Sequence, residues 1–419
     1  MKQMRRLFIN YFCLGVFLLA LPSLFSCASK NTVAPADNAA RKWTATWATA
    51  VEKPGKGDMP KASLSGRSLR QVIHISIGGD TMRLKLSNVQ SSSPVSIKSV
   101  FIADATYTHH IDAATATYLT FGQRRDVTIA PGQEAVSDIV NYRLRPQQLL
   151  AVTINYGDET PEEASCHRGS RTTSYIITGE SDPTTSFEGA EEAVHWYNIA
   201  AIDVLGEGQT AIAILGNSIT DGRGSTTDAQ DRWTDFFAKE LSNNPATAHI
   251  GVLNLGIGGN CVMRGGLSEP GLVRFDRDIL GQTGTSSIII FEGTNDIGSF
   301  GDDPKTADQL IAAYQELIRK GHAAGLKVYG ATITPVKNSF YYSDKHEAVR
   351  KRVNEWIRSS ANGQAGADTF DGVIDFDAAV RDSSDPEALR KDLQDDWLHL
   401  NPAGYAVMGK TAARFFQGK

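Results

Sequence analysis

Two different hydrophobic periods divide the chain. From about Trp43 to about Val194, apolar and polar residues alternate. In "QVIHISIGGDTMRLKLSN", Ile73, Ile75 and Ile77 fall on one face, with His74 and Ser76 on the other. Beyond Gly78-Gly79-Asp80, Met82, Leu84 and Leu86 alternate with Arg83, Lys85 and Ser87. Two alternating runs around a Gly-Gly-Asp turn predict a β-hairpin. "VSIKSVFIA" and "QLLAVTINY" continue the pattern, the second with Leu150, Val152, Ile154 and Tyr156 on one side. Short strands separated by turn residues, without helical periods, predict an antiparallel β-sandwich accessory domain over residues 43–205.

From residue 206 the character changes. "AIAIL", "IGVLNL", "SIIIF", "KVYGATI" and "GVIDF" are short apolar runs, as expected of parallel strands covered on both faces. Helical periods lie between them: Leu310, Tyr314, Leu317 and Gly321 share one face, closed by Gly325, and Val349, Val353, Trp356 and Ile357 share another. Strands alternating with helices predict an α/β fold, a doubly wound parallel sheet, over residues 206–419.

Composition is that of an ordinary globular protein, 41% hydrophobic and 21% charged. Only the N-terminus stands apart. Lys2, Arg5 and Arg6 precede an apolar run that ends at Leu24-Phe25-Ser26-Cys27, which reads as a lipoprotein signal over residues 1–26. Cys27 is then the lipidated first residue of the mature chain, residues 27–42 a flexible tether, and the protein an exported one, lipid-anchored in the bacterial cell envelope. Removing residues 1–26 deletes three cations and no acids, so the net charge goes from −5 to −8. No basic stripe exists to hold nucleic acid. Cys166 and Cys261 are left; in an exported protein they either pair or remain as buried thiols.

In an open parallel sheet, sites form beyond the carboxyl ends of the strands. "AIAIL" is followed by "GNSITDG", "IGVLNL" by "GIGGNC", "SIIIF" by "EGTNDIG", and the C-terminal helix is preceded by "DDWLHLNP". Together these four loops supply what acyl transfer needs. Ser218 is a nucleophile if His399 takes its proton, and Asp396 orients the imidazole. The Ser218 and Gly259 N–H groups and the Asn295 amide offer an oxyanion hole.

"GNSITDG", "NLGIGGN", "EGTND" and "DDWLHLNPAGY" resemble the four blocks of the SGNH (GDSL-type) hydrolases, in order. "WTATWATA", "SLRQVIHISIGG" and "HWYNIAAIDVL" resemble the accessory domain and joint of a secreted branch, so the likeness spans nearly the whole mature chain. The resemblance implies a metal-free esterase without cofactor that works through an acyl-enzyme. It places the four name-giving residues at Ser218, Gly259, Asn295 and His399, with Asp396 as the triad acid. One position departs: the family's Asp before the serine is Asn217 here.

Each residue has a plainer reading. Ser218 alone would be a helix N-cap, and Gly259 would serve only its backbone angle; Gly258 is its rival as donor and Asp395 the rival of Asp396. Glu292 reads as a strand-end residue next to the site, and His167 as a structural or rim residue near the domain joint. "GIGGNC" lacks the last glycine of a dinucleotide loop. "DFDAAVRD" lacks the glycine and terminal glutamate of a calcium loop. The expected substrate is a small ester or an acylated polysaccharide that loses acetyl groups. A lipid or lysophospholipid esterase is the alternative, and an inactive glycan-binding lipoprotein the alternative of another class.

Overall fold

The computed structural model describes residues 41–361 and 368–418; the expected signal, tether and lipidation site at Cys27 lie outside them. The N-terminal half is built of antiparallel sheets. One has five strands and includes Lys42–Ala48, Ile199–Gly206 and Gly79–Ser87 side by side; the other has eight, with Arg67–His74, Leu149–Tyr156 and Val95–Tyr107 at its centre. Leu150, Val152, Ile154 and Tyr156 all point into the core between them, as their alternation predicts.

The expected hairpin around Gly78-Gly79-Asp80 does not form. Arg67–His74 pairs with Leu149–Tyr156 and Ser174–Thr178, whereas Gly79–Ser87 pairs with Ile199–Gly206 in the opposite sheet. The chain arches from one sheet to the other. The two apolar faces still meet, because Ile73, Ile75, Ile77, Met82, Leu84 and Leu86 share one core. Alternation records only that one face is buried, and a hairpin and an arch satisfy it equally. The backbone decides: Ile75 N–H donates to the Gln148 carbonyl (2.8 Å) and Ser76 N–H to the Thr46 carbonyl (3.1 Å) before the turn begins. Gly78 lets the Leu144 carbonyl close in, only 2.6 Å from where a Cβ would stand.

The second half is a five-stranded parallel sheet. Its strands are β1 (Thr210–Gly216), β2 (Ile250–Gly256), β3 (Thr285–Phe291), β4 (Lys327–Ala331) and β5 (Gly372–Ile374), in the order β2-β1-β3-β4-β5. The order reverses between β1 and its neighbours, which opens a crevice at their carboxyl ends. Among the described residues, eight α-helices accompany the sheet: α1 (Ser218–Asp221), α2 (Trp233–Ser242), α3 (Gly271–Phe275), α4 (Thr294–Phe300), α5 (Thr306–Ala323), α6 (Asp344–Ser360), α7 (Phe376–Val380) and α8 (Pro402–Phe416). Helices α3, α5 and α6 pack in one core, α2, α7 and α8 in another, so the sheet is doubly wound. The helix faces read from the sequence are the buried ones: Leu310, Tyr314 and Leu317 on α5, and Val349, Val353 and Ile357 on α6.

The described residues form one compact unit. Ala45, Ala48 and Ala201 of the sandwich belong to the same core as β1 and β2. The small side chains allow this approach: a Cβ on Gly251 of β2 would stand 2.9 Å from the Ala45 carbonyl. Among the described residues no helix is long and apolar enough to cross a membrane.

Candidate active site

Strand β1 is buried along most of its length and must turn at once into α1. Gly216 makes room, since a Cβ there would meet Thr220 Oγ1 at 2.2 Å. Asn217 caps the helix with an extended backbone (φ −103°, ψ −154°), its side chain accepting the Ile219 N–H at 3.0 Å. Ser218 is thus the first helical residue and not the N-cap that its plainer reading made it, since Asn217 takes that place.

The serine Oγ lies 2.8 Å from His399 Nε2. On the far side of the ring, Nδ1 is 2.9 Å from Asp396 Oδ2 and 3.1 Å from Oδ1. Asp396 Oδ1 also accepts the backbone N–H groups of His399 (2.8 Å) and Leu398 (3.1 Å), which locks the carboxylate to the same loop. With Nδ1–H facing the carboxylate, Nε2 keeps its lone pair for the serine hydroxyl. Asp395 bonds the His399 carbonyl through its backbone N–H instead.

Burial pushes the His399 imidazole below its ordinary value, against the pull of Asp396, and the cations Arg223 and Arg171 add to the lowering. The ring is therefore neutral and able to accept a proton near pH 7. Asp396 stays below the usual carboxylate value; its burial alone would raise it, but the His399 N–H bonds and imidazole outweigh that.

Gly259 sits at φ +68°, and a Cβ there would stand 2.8 Å from Leu267. The left-handed backbone favours glycine here. Among the described residues, its N–H and that of Ser218 donate to no protein acceptor. Gly258, the rival donor, lies beside the Asp221 carboxylate. Asn295, in the first turn of α4, donates Nδ2 to the Asn260 carbonyl (2.8 Å) and accepts the Tyr341 hydroxyl at Oδ1 (3.0 Å). These bonds fix which end is nitrogen and leave its second hydrogen for another acceptor. Asp296 holds the loop after Gly259 through the Val262 (2.8 Å) and Met263 (2.9 Å) N–H groups.

Beneath the serine lies a buried layer that the sequence reading largely missed. Arg274 is fully buried and donates to the carbonyls of Leu255 (2.8 Å) and Gly216 (3.1 Å) and to Asn260 Oδ1 (2.9 Å), tying the ends of β1 and β2 together. Glu292, buried at the end of β3, accepts from Asn217 Nδ2 at 3.2 Å. Burial raises its pKa well above the carboxylate range, opposed by Arg274. This explains Asn217. An aspartate here would face a second carboxyl, and the pair would have to share a proton. Asn217→Asp should cost little in acid and about 1–3 kcal/mol near neutral pH, since a proton bound more tightly in the folded state is lost as pH rises. Denaturant titrations across pH check this; adding Glu292→Gln, which can donate, should flatten the profile.

His167 lies at the joint between the halves, as its place in the sequence suggested. Its Nε2 is 2.9 Å from Asp221 Oδ1, and Arg171 Nη2 donates to Asp221 Oδ2 at 2.6 Å. Asp221, the last residue of α1, had no role in the sequence reading. Cys166 and Cys261 are both free and buried, so they do not pair.

Residues 214–407 match the family model for the GDSL-like lipase/acylhydrolase family. No curated protein sequence matches the chain. Among solved structures, the chain is similar to an acetyl xylan esterase with 19% identity and a TM-score of 0.37, covering 50% of this chain and 98% of that one. It is similar to a GDSL-like lipase from Bacteroides thetaiotaomicron at 17% identity and TM-score 0.37, over 50% of this chain and 88% of the other. A family two carbohydrate esterase from Cellvibrio japonicus matches over 91% of this chain and 96% of its own, at 12% identity and TM-score 0.36.

Proposed function

The chain carries a GDSL-like lipase/acylhydrolase domain, a carboxylic ester hydrolase, over residues 214–407, and from that premise we propose an exported esterase, lipid-anchored at Cys27, that removes acetyl groups from carbohydrate. The observation that carries the chemistry is the unbroken line of hydrogen bonds from Ser218 Oγ through His399 to Asp396.

Ser218 Oγ attacks the ester carbonyl while His399 Nε2 takes its proton. The Ser218 and Gly259 N–H groups and the Asn295 amide receive the oxyanion, each donor contributing about 3–4 kcal/mol to the transition state. The imidazolium, steadied by Asp396, returns the proton to the departing alcohol oxygen. Water then gives a proton to His399 and its oxygen to the acyl carbon, and His399 passes that proton to Ser218 Oγ as the acyl bond breaks and the acid is released.

Polar groups near the triad support a short acyl group on a hydroxylated alcohol: the cations Arg171 and Arg223 lie near His399, and the Tyr341 hydroxyl donates to Asn295. The test compares 4-nitrophenyl esters from acetyl to decanoyl with partially acetylated xylo-oligosaccharides. Acetyl esters should lead by at least about ten-fold per few methylenes lost from binding; a preference for long chains would overturn carbohydrate deacetylation in favour of a lipid esterase. Binding of glycan without turnover would leave a lectin-like lipoprotein. Fractionation of Cys27→Ala checks the anchor, since the variant should leave the membrane fraction.

A further inference from the structure

Where the sandwich meets the loop after Gly259 lies a cavity of about 330 Å³ that the chemistry above does not use. The sandwich lines it with Lys53 and Gln90, the α/β half with Leu267, Ser268, Glu269 and Arg277. Leu267 is the wall it shares with the catalytic centre: the same side chain stands 2.8 Å from the Cβ that Gly259 lacks. Leu267 is 71% exposed, and polar bonds from the other half hold its backbone. Arg168 Nη2 donates to the Leu267 carbonyl (3.2 Å), to Ser268 Oγ (2.9 Å) and to Glu52 (2.6 Å), and Ser268 bonds Glu52 as well. Glu52 is 2% exposed, so the clip is built into the joint.

The lining mixes donors and acceptors. Glu269 Oε2 accepts from Gln90 Nε2 (2.8 Å) and Arg277 Nη1 (2.5 Å), which leaves its other oxygen and the Gln90 carbonyl as acceptors, and Lys53 adds a cation to the lining. Ile257 and Leu267 give an apolar side. Alternating hydroxyls over an apolar ring face match such a lining, whereas an alkyl chain would strip these polar groups of water without replacing it. The volume falls in the range of small-molecule sites, and junctions between domains are where such sites form.

We propose that this cavity binds the sugar residue of the departing alcohol, so that the sandwich supplies the alcohol-side specificity of the hydrolase. The proposal rests on the carbohydrate reading above. The test is the double variant Lys53→Ala/Gln90→Ala, assayed on acetylated xylo-oligosaccharides and on 4-nitrophenyl acetate. Losing two hydrogen-bonding side chains should lower the ratio of kcat/KM for the oligosaccharide to that for the aryl ester about ten-fold, through KM. An unchanged ratio overturns the subsite. Wild-type enzyme that cleaves the aryl ester but no acetylated oligosaccharide overturns the deacetylation reading instead. The subsite then stands if methyl β-xyloside competes with 4-nitrophenyl acetate in the wild type and not in the double variant, and falls if it does not compete.

Discussion

Ser218→Ala should lower kcat for 4-nitrophenyl acetate by about 10⁶-fold while leaving the fold intact. The serine caps nothing, since Asn217 takes the N–H of Ile219, so its hydroxyl is dispensable to α1. His399→Ala should cost nearly as much, and the double variant no more than either alone, because nucleophile and base act on one proton. Asp396→Asn should cost less, about 10⁴-fold, by presenting the wrong tautomer to the serine. Two measurements check this: single-turnover kinetics on the aryl ester, and a fluorophosphonate label mapped to its residue. Label on any residue other than Ser218, or activity in Ser218→Ala above about one per cent, would remove the triad assignment.

How far the sequence already disclosed this site depends on the kind of contact. The meeting of Ser218, His399 and Asp396 was legible because each follows its own apolar strand or precedes its own helix, and parallel strands deliver their carboxyl ends to one rim. Position in the chain then predicts position in space, and Ser218 meets His399 across 181 residues. The α5 and α6 faces were legible for a similar reason, since a 3.6-residue period is a local property. The hairpin was misread because the alternation of Ile73 to Leu86 fixes which face is buried and not which backbone each strand bonds. Tyr341 escaped notice because nothing in "NSFYYSD" marks which tyrosine reaches Asn295. Arg274 and Glu292 escaped in part for the opposite reason: charged residues inside apolar surroundings look like surface residues until their partners are known. Asn217 is the instructive case. It was a departure from a pattern in the sequence and finds its reason in the Glu292 carboxyl that accepts its amide beneath it.

Asp221→Asn is expected to be the most damaging change outside the triad. The carboxylate is 1% exposed and lies between two loops: His167 and Arg171 of the sandwich bond its two oxygens, and Gly169 of the same loop and Gly258 of the α/β half leave room for it. A Cβ on Gly169 would stand 2.0 Å from Oδ2, so the sandwich loop approaches as closely as glycine permits. Burial alone would raise this carboxyl's pKa, but Arg171 and His167 outweigh it and hold it below the usual value. A depressed folded value means that its stabilisation is present above the ordinary carboxylate range and is lost only as pH falls through the lower, folded one. At neutral pH the asparagine would leave Arg171 without its counter-charge and turn an amide toward donors, a loss of about 3–5 kcal/mol. Because Asp221 ends the short helix that Ser218 begins, the same change should slow labelling of Ser218 in protein that is still folded. Removing Arg171 as well, in Arg171→Gln/Asp221→Asn, should recover part of the stability, since the unpaired cation is then gone. Denaturant unfolding of the four proteins in the cycle, with fluorophosphonate labelling rates at equal folded fraction, measures both effects. Additive losses in that cycle, or an Asp221→Asn protein as stable as the wild type, would show that the sandwich does not hold the nucleophile's helix in place.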